Sequence, residues 1–314
     1  MKPIAQFDSL EAFDIGGRPI HLAIGMFDGV HLGHQRVLES ALQSSSEDDG
    51  LAGVLSFWPH PSYLFNPDNP VAMILNPELK CIEFARRGMA FSIQEPFDAE
   101  FASLEARSFV DYLRSRIPEL KSLHTGLNWK FGKGGVGDAT LLQELAANAG
   151  IDARCVEVHN LDNERVSSTR IRELLLKGEV AKANELLGYF YFSISTVIKG
   201  VQLGAQIGTP TLNMPFEGDL KPAYGVYVTL ISDLLSDRKY KSVSNFGIRP
   251  TVTKDSEPKL ETHLLETCPF TYGSRLRVEW LDFIRPEQKF SSVDELKNRI
   301  QEDIRIANER LERV

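Results

Sequence analysis

The chain has 314 residues, 42% hydrophobic and 25% charged, so a collagenous, low-complexity or disordered chain is excluded. Its 35 lysines and arginines against 43 aspartates and glutamates give a formal charge of -8. That balance excludes a general electrostatic binder of nucleic acid or membrane surface and leaves room only for local basic pockets.

In chain order, the opening MKPIAQFDSLEAF carries acids where a secretory signal has an apolar centre. No later apolar run reaches the roughly 18 residues of a membrane span. Three scattered cysteines, Cys81, Cys155 and Cys268, fit neither a disulfide framework nor a thiolate zinc site. The expectation is a cytoplasmic protein of about two domains.

From Pro19 to about Gly188 the pattern predicts strands at 21–25, 51–57, 90–93, 122–125 and 153–158. Helices are predicted between them, at 34–43, 77–87, 105–117 and 140–149, with another beginning within 166–172 and stopping at Gly178. Strands separated by helices of this length make parallel βαβ units, hence an α/β doubly wound sheet whose ligands bind beyond the carboxyl ends of the strands. After Gly188 the texture changes to strand-like runs at 192–198, 225–231, 240–246, 260–265 and 275–283, separated by Gly, Pro, Asp and Ser turns. Consecutive short strands without helices predict an antiparallel barrel or sandwich. One helix closes the chain after Ser292, which has capping-box spacing to Glu295. The division is placed at 1–187 and 188–314.

Chemistry gathers in two loops of the first half. Gly25-Met26-Phe27-Asp28-Gly29-Val30-His31-Leu32-Gly33-His34 follows a buried strand and opens a helix. Its glycines admit close backbone approach, and the helix start offers N–H groups to an anion. Two imidazoles there can donate hydrogen bonds to phosphate oxygens of a developing pentacovalent transition state. No third ligand lies at a usable spacing for zinc. Ser167-Ser168-Thr169-Arg170-Ile171-Arg172 begins another helix, and its hydroxyls and arginines make a second phosphate cradle.

GxFDGxHxGH together with SSTRIR resembles the nucleotidylyltransferase superfamily. Phe57-Trp58-Pro59-His60-Pro61, Glu95-Pro96-Phe97 and Gly126-Leu127-Asn128-Trp129-Lys130-Phe131-Gly132 narrow the resemblance. They resemble the adenylyltransferase module of the prokaryotic bifunctional riboflavin kinase/FMN adenylyltransferase family. The resemblance implies that His31, His34 and Arg170 act on the transition state. It also implies that Gly25, Phe27, Asp28, Gly33, Ser168, Thr169 and Arg172 bind the nucleotide, and that Asn128 with Pro59 and His60 helps seat flavin or ATP.

The second half continues it. Gly204-Ala205-Gln206-Ile207-Gly208-Thr209-Pro210-Thr211-Leu212-Asn213, with Asn245-Phe246-Gly247, Leu260-Glu261-Thr262-His263 and Phe283-Ile284-Arg285-Pro286, resembles the riboflavin kinase β-barrel in order and spacing. Thr211 and Asn213 carry oxygens suited to Mg²⁺, and Glu261 can take a proton from a ribityl hydroxyl. Gly204, Gly208, Pro210 and Asn213 would line the ATP loop. Three positions depart from the family's pattern: Ala205 in place of arginine, Ser195 in place of glycine, Leu212 in place of alanine. The lost arginine removes a phosphate contact of about 1.5–3 kcal/mol.

The implied activity is phosphorylation of riboflavin to FMN, then adenylyl transfer from ATP to FMN giving FAD and pyrophosphate. The alternative is an adenylyltransferase alone, with a weak or inactive barrel that mainly binds flavin. Expected partners are the small molecules riboflavin, FMN and ATP, with Mg²⁺ and with no nucleic acid or membrane. The chain is expected as a monomer or transient oligomer.

Overall fold

A computed structural model describes residues 3–200, 208–234, 236, 238–248 and 257–312. They form two compact units, divided between Ser168 and Thr169.

The first unit alternates strand and helix as the periodicity predicts. Its elements are β1 (Ala5–Phe7), β2 (Ile20–Ile24), α1 (Leu32–Glu47), β3 (Leu51–Trp58), α2 (Ser62–Phe65), α3 (Pro77–Arg86), β4 (Phe91–Pro96), α4 (Ala99–Ala102), α5 (Phe109–Arg116), β5 (Leu120–Gly126), α6 (Ala139–Asn148) and β6 (Asp152–Val156). A short hairpin follows, β7 (Asn160–Leu161) and β8 (Glu164–Arg165). Six strands pair in parallel in the order β1-β4-β3-β2-β5-β6. Every residue of β2 is buried and all but His21 are apolar, so the chain must reach its loops to meet water. Gly53 makes that packing possible, because a Cβ there would lie 2.0 Å from the Phe91 ring. β1 was not expected: three residues are too few to show a period, and the strand forms by pairing with β4.

A polar chain crosses this core. Asp48 Oδ1 lies 3.0 Å from His21 Nε2, His21 Nδ1 2.7 Å from Ser122 Oγ, Ser122 Oγ 2.6 Å from His124 Nε2, and His124 Nδ1 2.8 Å from Ser40 Oγ. It ties α1 to β2 and β5 from within. Burial, helped by Arg154 and His21 and opposed by Asp152, pushes His124 down to about 4.

The second unit begins within α7 (Ser168–Leu176) and continues through α8 (Val180–Leu187), β9 (Phe192–Thr196), β10 (Leu212–Pro215), β11 (Gly225–Asp233), β12 (Tyr240–Gly247), β13 (Lys259–Leu264), β14 (Arg275–Pro286) and α9 (Val293–Leu311). The sheet is antiparallel, in the order β10-β13-β12-β11-β14-β9. Its two edges meet: Ile198 N donates to Asn213 O at 2.8 Å, and Ser195 Oγ donates to Pro215 O at 2.6 Å. The serine at a glycine position therefore staples one edge of the barrel to the other. Trp280, Tyr227 and Phe246 fill the interior.

The sequence-level division at 187/188 and the spatial one at 168/169 differ by α7 and α8. Asn184 of α8 donates to Trp280 O at 2.8 Å and accepts from Tyr191 N at 2.7 Å, which fastens that helix to β14. On β14 Arg277 and Glu279 are buried along with Leu276, Val278 and Trp280. Arg277 stacks 3.5 Å over the Phe192 ring, and Glu279 is paired with Lys239 at 2.6 Å. Ser292 caps α9 through the Glu295 amide, but Glu295 returns its bond to Ser291 rather than to Ser292.

Candidate active sites

The loop between β2 and α1 is held in a conformation that its residues do not prefer. Phe27 and Val30 have φ of 49° and 38°, in the region that favours glycine. Fixed partners over-determine it. Asp28 Oδ1 accepts from Ile74 N at 2.8 Å and Leu75 N at 3.3 Å, and Ser168 Oγ donates to Asp28 O at 2.8 Å. Gln35 Nε2 donates to Val30 O at 2.8 Å. Phe27 lies beneath His34, edge-on at 5.4 Å, and is 1% exposed. Phe27 and Asp28, expected among the nucleotide-binding residues, are thus placed as the supports of the loop.

His31 and His34 stack with ring centres 3.6 Å apart. Gly33 lets that stack sit close to the backbone: a Cβ there would lie 3.2 Å from the His31 ring, which would have to give by a few tenths of an ångström. His31 also caps α1, its Nδ1 accepting the His34 N–H at 3.2 Å. A backbone N–H can only donate, so Nδ1 is the bare nitrogen and the ring carries its proton on Nε2. Burial, then His31 and Lys80, hold His34 well below the ordinary histidine range, so it is neutral near pH 7. Among the described residues, His34 Nδ1 is buried without a hydrogen-bond partner, the kind of unsatisfied atom found at functional sites. Arg170 and Arg172 continue along α7, both half-buried, and Thr169 is exposed.

Beside this loop lies a cavity of about 290 Å³, walled by Met26, Phe57, Pro61, Phe97, Phe101, Phe109, Trp129 and Phe131. Trp129 and Phe131 stack at 5.2 Å with planes 12° apart, which makes one wall flat. Met26 belongs both to this wall and to the histidine loop. Asn128 is exposed next to Trp129, and His60 Nδ1 accepts from Ser62 N at the turn before α2. Such a pocket suits a planar aromatic ring system. The motifs named Phe97, Trp129 and Phe131, but only the fold brings them together with Phe57, Phe101 and Phe109.

In the second unit a cavity of about 220 Å³ is lined on one side by Thr209, Thr211, Asn245, Glu261, His263, Arg285 and Glu287, and on the other by Leu296, Ile300 and Ile304 of α9. The Cα partner of Glu261 is Asn213 on one neighbour and Asn245 on the other. Asn213 is buried against Gly200, where a Cβ would lie 2.3 Å from Asn213 Nδ2. His263 Nδ1 donates to Pro210 O at 2.8 Å, fixing the turn that leads to Thr211. Gly208 has φ of 85° at the start of that turn. Glu287 was not foreseen. Burial raises its carboxyl, with Glu261 adding to the rise and Asn245 and Arg285 opposing it. Arg285 is held by Asp303 of α9 at 2.7 Å. Gly204 and Ala205 lie outside the described residues.

Two family models match, FAD synthetase over residues 17–170 and riboflavin kinase over 187–311. A bifunctional riboflavin kinase/FMN adenylyltransferase of Escherichia coli K12 is 34% identical over 288 residues, covering 92% of this chain and 91% of its own. The chain belongs to this bifunctional family. The Bacillus subtilis member is 33% identical over 291 residues, covering 90% and 89%. A crystal structure described as a macrolide-efflux protein from Streptococcus pneumoniae matches with a TM-score of 0.86 and 28% identity, over 98% of this chain and 99% of that one. Among the described residues, no helix is long and apolar enough to cross a membrane. Both an FAD synthetase domain and a riboflavin kinase domain are present, which favours the bifunctional enzyme over the adenylyltransferase alone.

Proposed function

We propose that adenylyl transfer takes place at the histidine loop of the first unit and phosphorylation at the Glu261 cavity of the second. The observation that carries the reading is the stacked, capped His31–His34 pair beside a flat-walled aromatic pocket. The pocket receives the isoalloxazine of FMN. The FMN phosphate oxygen then attacks the α-phosphorus of ATP, and the bond to the bridging oxygen breaks as pyrophosphate leaves. His31 Nε2–H meets the charge that grows on the α-phosphate oxygens, and His34 braces its ring. The SSTRIR segment, whose Ser168 reaches the same loop, supplies hydroxyl and guanidinium donors to the remaining phosphates.

In the second unit Glu261 takes the proton of the riboflavin ribityl hydroxyl as that oxygen attacks the γ-phosphorus, and ADP leaves. Thr211 and Asn213 are oxygen donors on one strand end, which suits a hard cation. They would hold the Mg²⁺ that accompanies ATP, and the ion supplies neutralisation of phosphate charge. No group of three or more His, Cys, Asp or Glu that could hold a metal ion occurs among the described residues. The reading includes a cytoplasmic enzyme working as a monomer or transient oligomer.

Incubation with riboflavin, ATP and Mg²⁺, beside FMN, ATP and Mg²⁺, tests it by chromatography. FAD from both mixtures is expected. FAD from FMN alone would leave the barrel without phosphorylation, and FAD from neither would remove the assignment of the histidine loop.

A further inference from the structure

Lys80 lies on the first turn of α3, yet it is 1% exposed. Its ammonium points under the histidine loop and donates to Met26 O at 3.2 Å and Ser56 Oγ at 2.8 Å. Neither partner carries charge. The Asp28 carboxylate acts on Lys80 through space while accepting two amides of residues 74 and 75, just before the same helix. A buried ammonium without a bonded carboxylate is costly, and a methionine of similar volume would pack there without that cost. Such groups are retained where they serve a site.

The placement says which site. Met26 O, Asp28 O and Val30 O, three carbonyls of the strained loop, are each drawn onto a side-chain donor: Lys80, Ser168 and Gln35. A carbonyl released from its donor could turn toward an incoming phosphate and repel it. Met26 also walls the aromatic pocket, so its position sets the histidine loop and the flavin wall together. We propose that Lys80 is a positioning residue for adenylyl transfer: its ammonium holds the Met26 carbonyl inward, and with it the turn that presents His31. This rests on the assignment of the histidine loop above. Burial lowers Lys80 to about 8, with Asp28 and then Cys81 opposing, and Lys80 in turn helps to hold His34 down, so the ammonium is the prevailing form near pH 7 and is lost in mild alkali.

The experiment measures both reactions of the full-length chain, the riboflavin kinase rate serving as the internal count of active protein. Lys80→Met is expected to lower the kcat of adenylyl transfer about 10–100-fold with little change in the KM for ATP. Riboflavin phosphorylation should be unchanged. The wild-type kcat of adenylyl transfer should fall above about pH 8 as Lys80 loses its proton, and Lys80→Met should lack that limb. Lys80→Gln keeps an N–H donor for Met26 without the charge, and it should recover part of the kcat but not the limb.

A wild-type kcat in Lys80→Met, or a change confined to KM, overturns the proposal. If Lys80→Met does not fold, the wild-type pH profile and Ser56→Ala decide. Ser56→Ala removes one acceptor of the ammonium and should move the limb to lower pH. An absent limb in the wild type, or an unmoved one in Ser56→Ala, overturns the proposal. FAD formation by the wild type with an unaltered Lys80→Met sinks only the role of Lys80; no FAD formation by the wild type sinks the assignment on which it rests.

Discussion

The two units prepare their chemistry in opposite ways. In the first, the side chains proposed to react sit on a loop whose backbone is bent into unfavourable angles and pinned by Asp28, Ser168 and Gln35, and His31 and His34 are held in a stack. In the second, Glu261 stands on a regular strand between two asparagine-bearing neighbours, and the cavity is completed by a helix held through Arg285 and Asp303. A strained loop stores its order in many small bonds and is sensitive to any one of them. A strand residue inherits its position from the sheet and is sensitive mainly to its own chemistry.

That contrast is broken most sharply by two exchanges. His31→Ala removes a donor, the α1 cap and one ring of the stack, and adenylyl transfer should fall about 10³-fold with riboflavin phosphorylation intact. Glu261→Gln keeps the shape and removes the proposed base, so phosphorylation should fall about 10²-fold or more while FMN is still converted to FAD. Equal loss of both activities in either variant would mean that the reactions do not have separate sites. A smaller effect sharpens the comparison: Trp129→Ala removes one ring of the flat wall and should raise the KM for FMN about tenfold in adenylyl transfer. The KM for riboflavin in the kinase assay should not move.

Sequence and structure agree where a motif states both residue type and position. The alternating halves, the histidine pair at a helix start and the Glu261 strand were all legible, because glycine spacing and period carry them. Direction was not legible. Phe27 and Asp28 belong to the motif, but only the fold turns them inward as supports. The aromatic wall draws on β3, α4, α5 and the loop after β5, contacts that no local pattern encodes. Glu287 joins Glu261 only because β14 runs on to the cavity. Ser195 read as a departure from a glycine position, and it acquires a reason only when the barrel edges meet and its hydroxyl finds Pro215.

The buried histidine chain of the first unit gives the smallest expected effect, and one without counterpart among the described residues of the barrel core. On β11 and β12 the buried polar side chains are hydroxyls, Thr229 with Ser242 and Ser244, which do not titrate in this range. His124 is held at about 4 in the folded unit against 6.5 when exposed. Between those values the unfolded chain takes up a proton that the folded chain refuses, so stability is complete above pH 6.5 and is lost as pH falls toward 4. At pH 5 the deficit is about 2 kcal/mol, from about 1.4 kcal/mol per unit. Arg154 and His21 act with burial in this direction and Asp152 against it, so His124→Gln should flatten the dependence even if it lowers the stability at neutral pH. Hydrogen exchange read separately on peptides of β5 and of β12 makes the comparison. Protection of β5 should fall between pH 7 and pH 5, beyond the intrinsic change in exchange rate, while that of β12 should hold. A parallel fall in both would place the acid sensitivity outside the histidine chain.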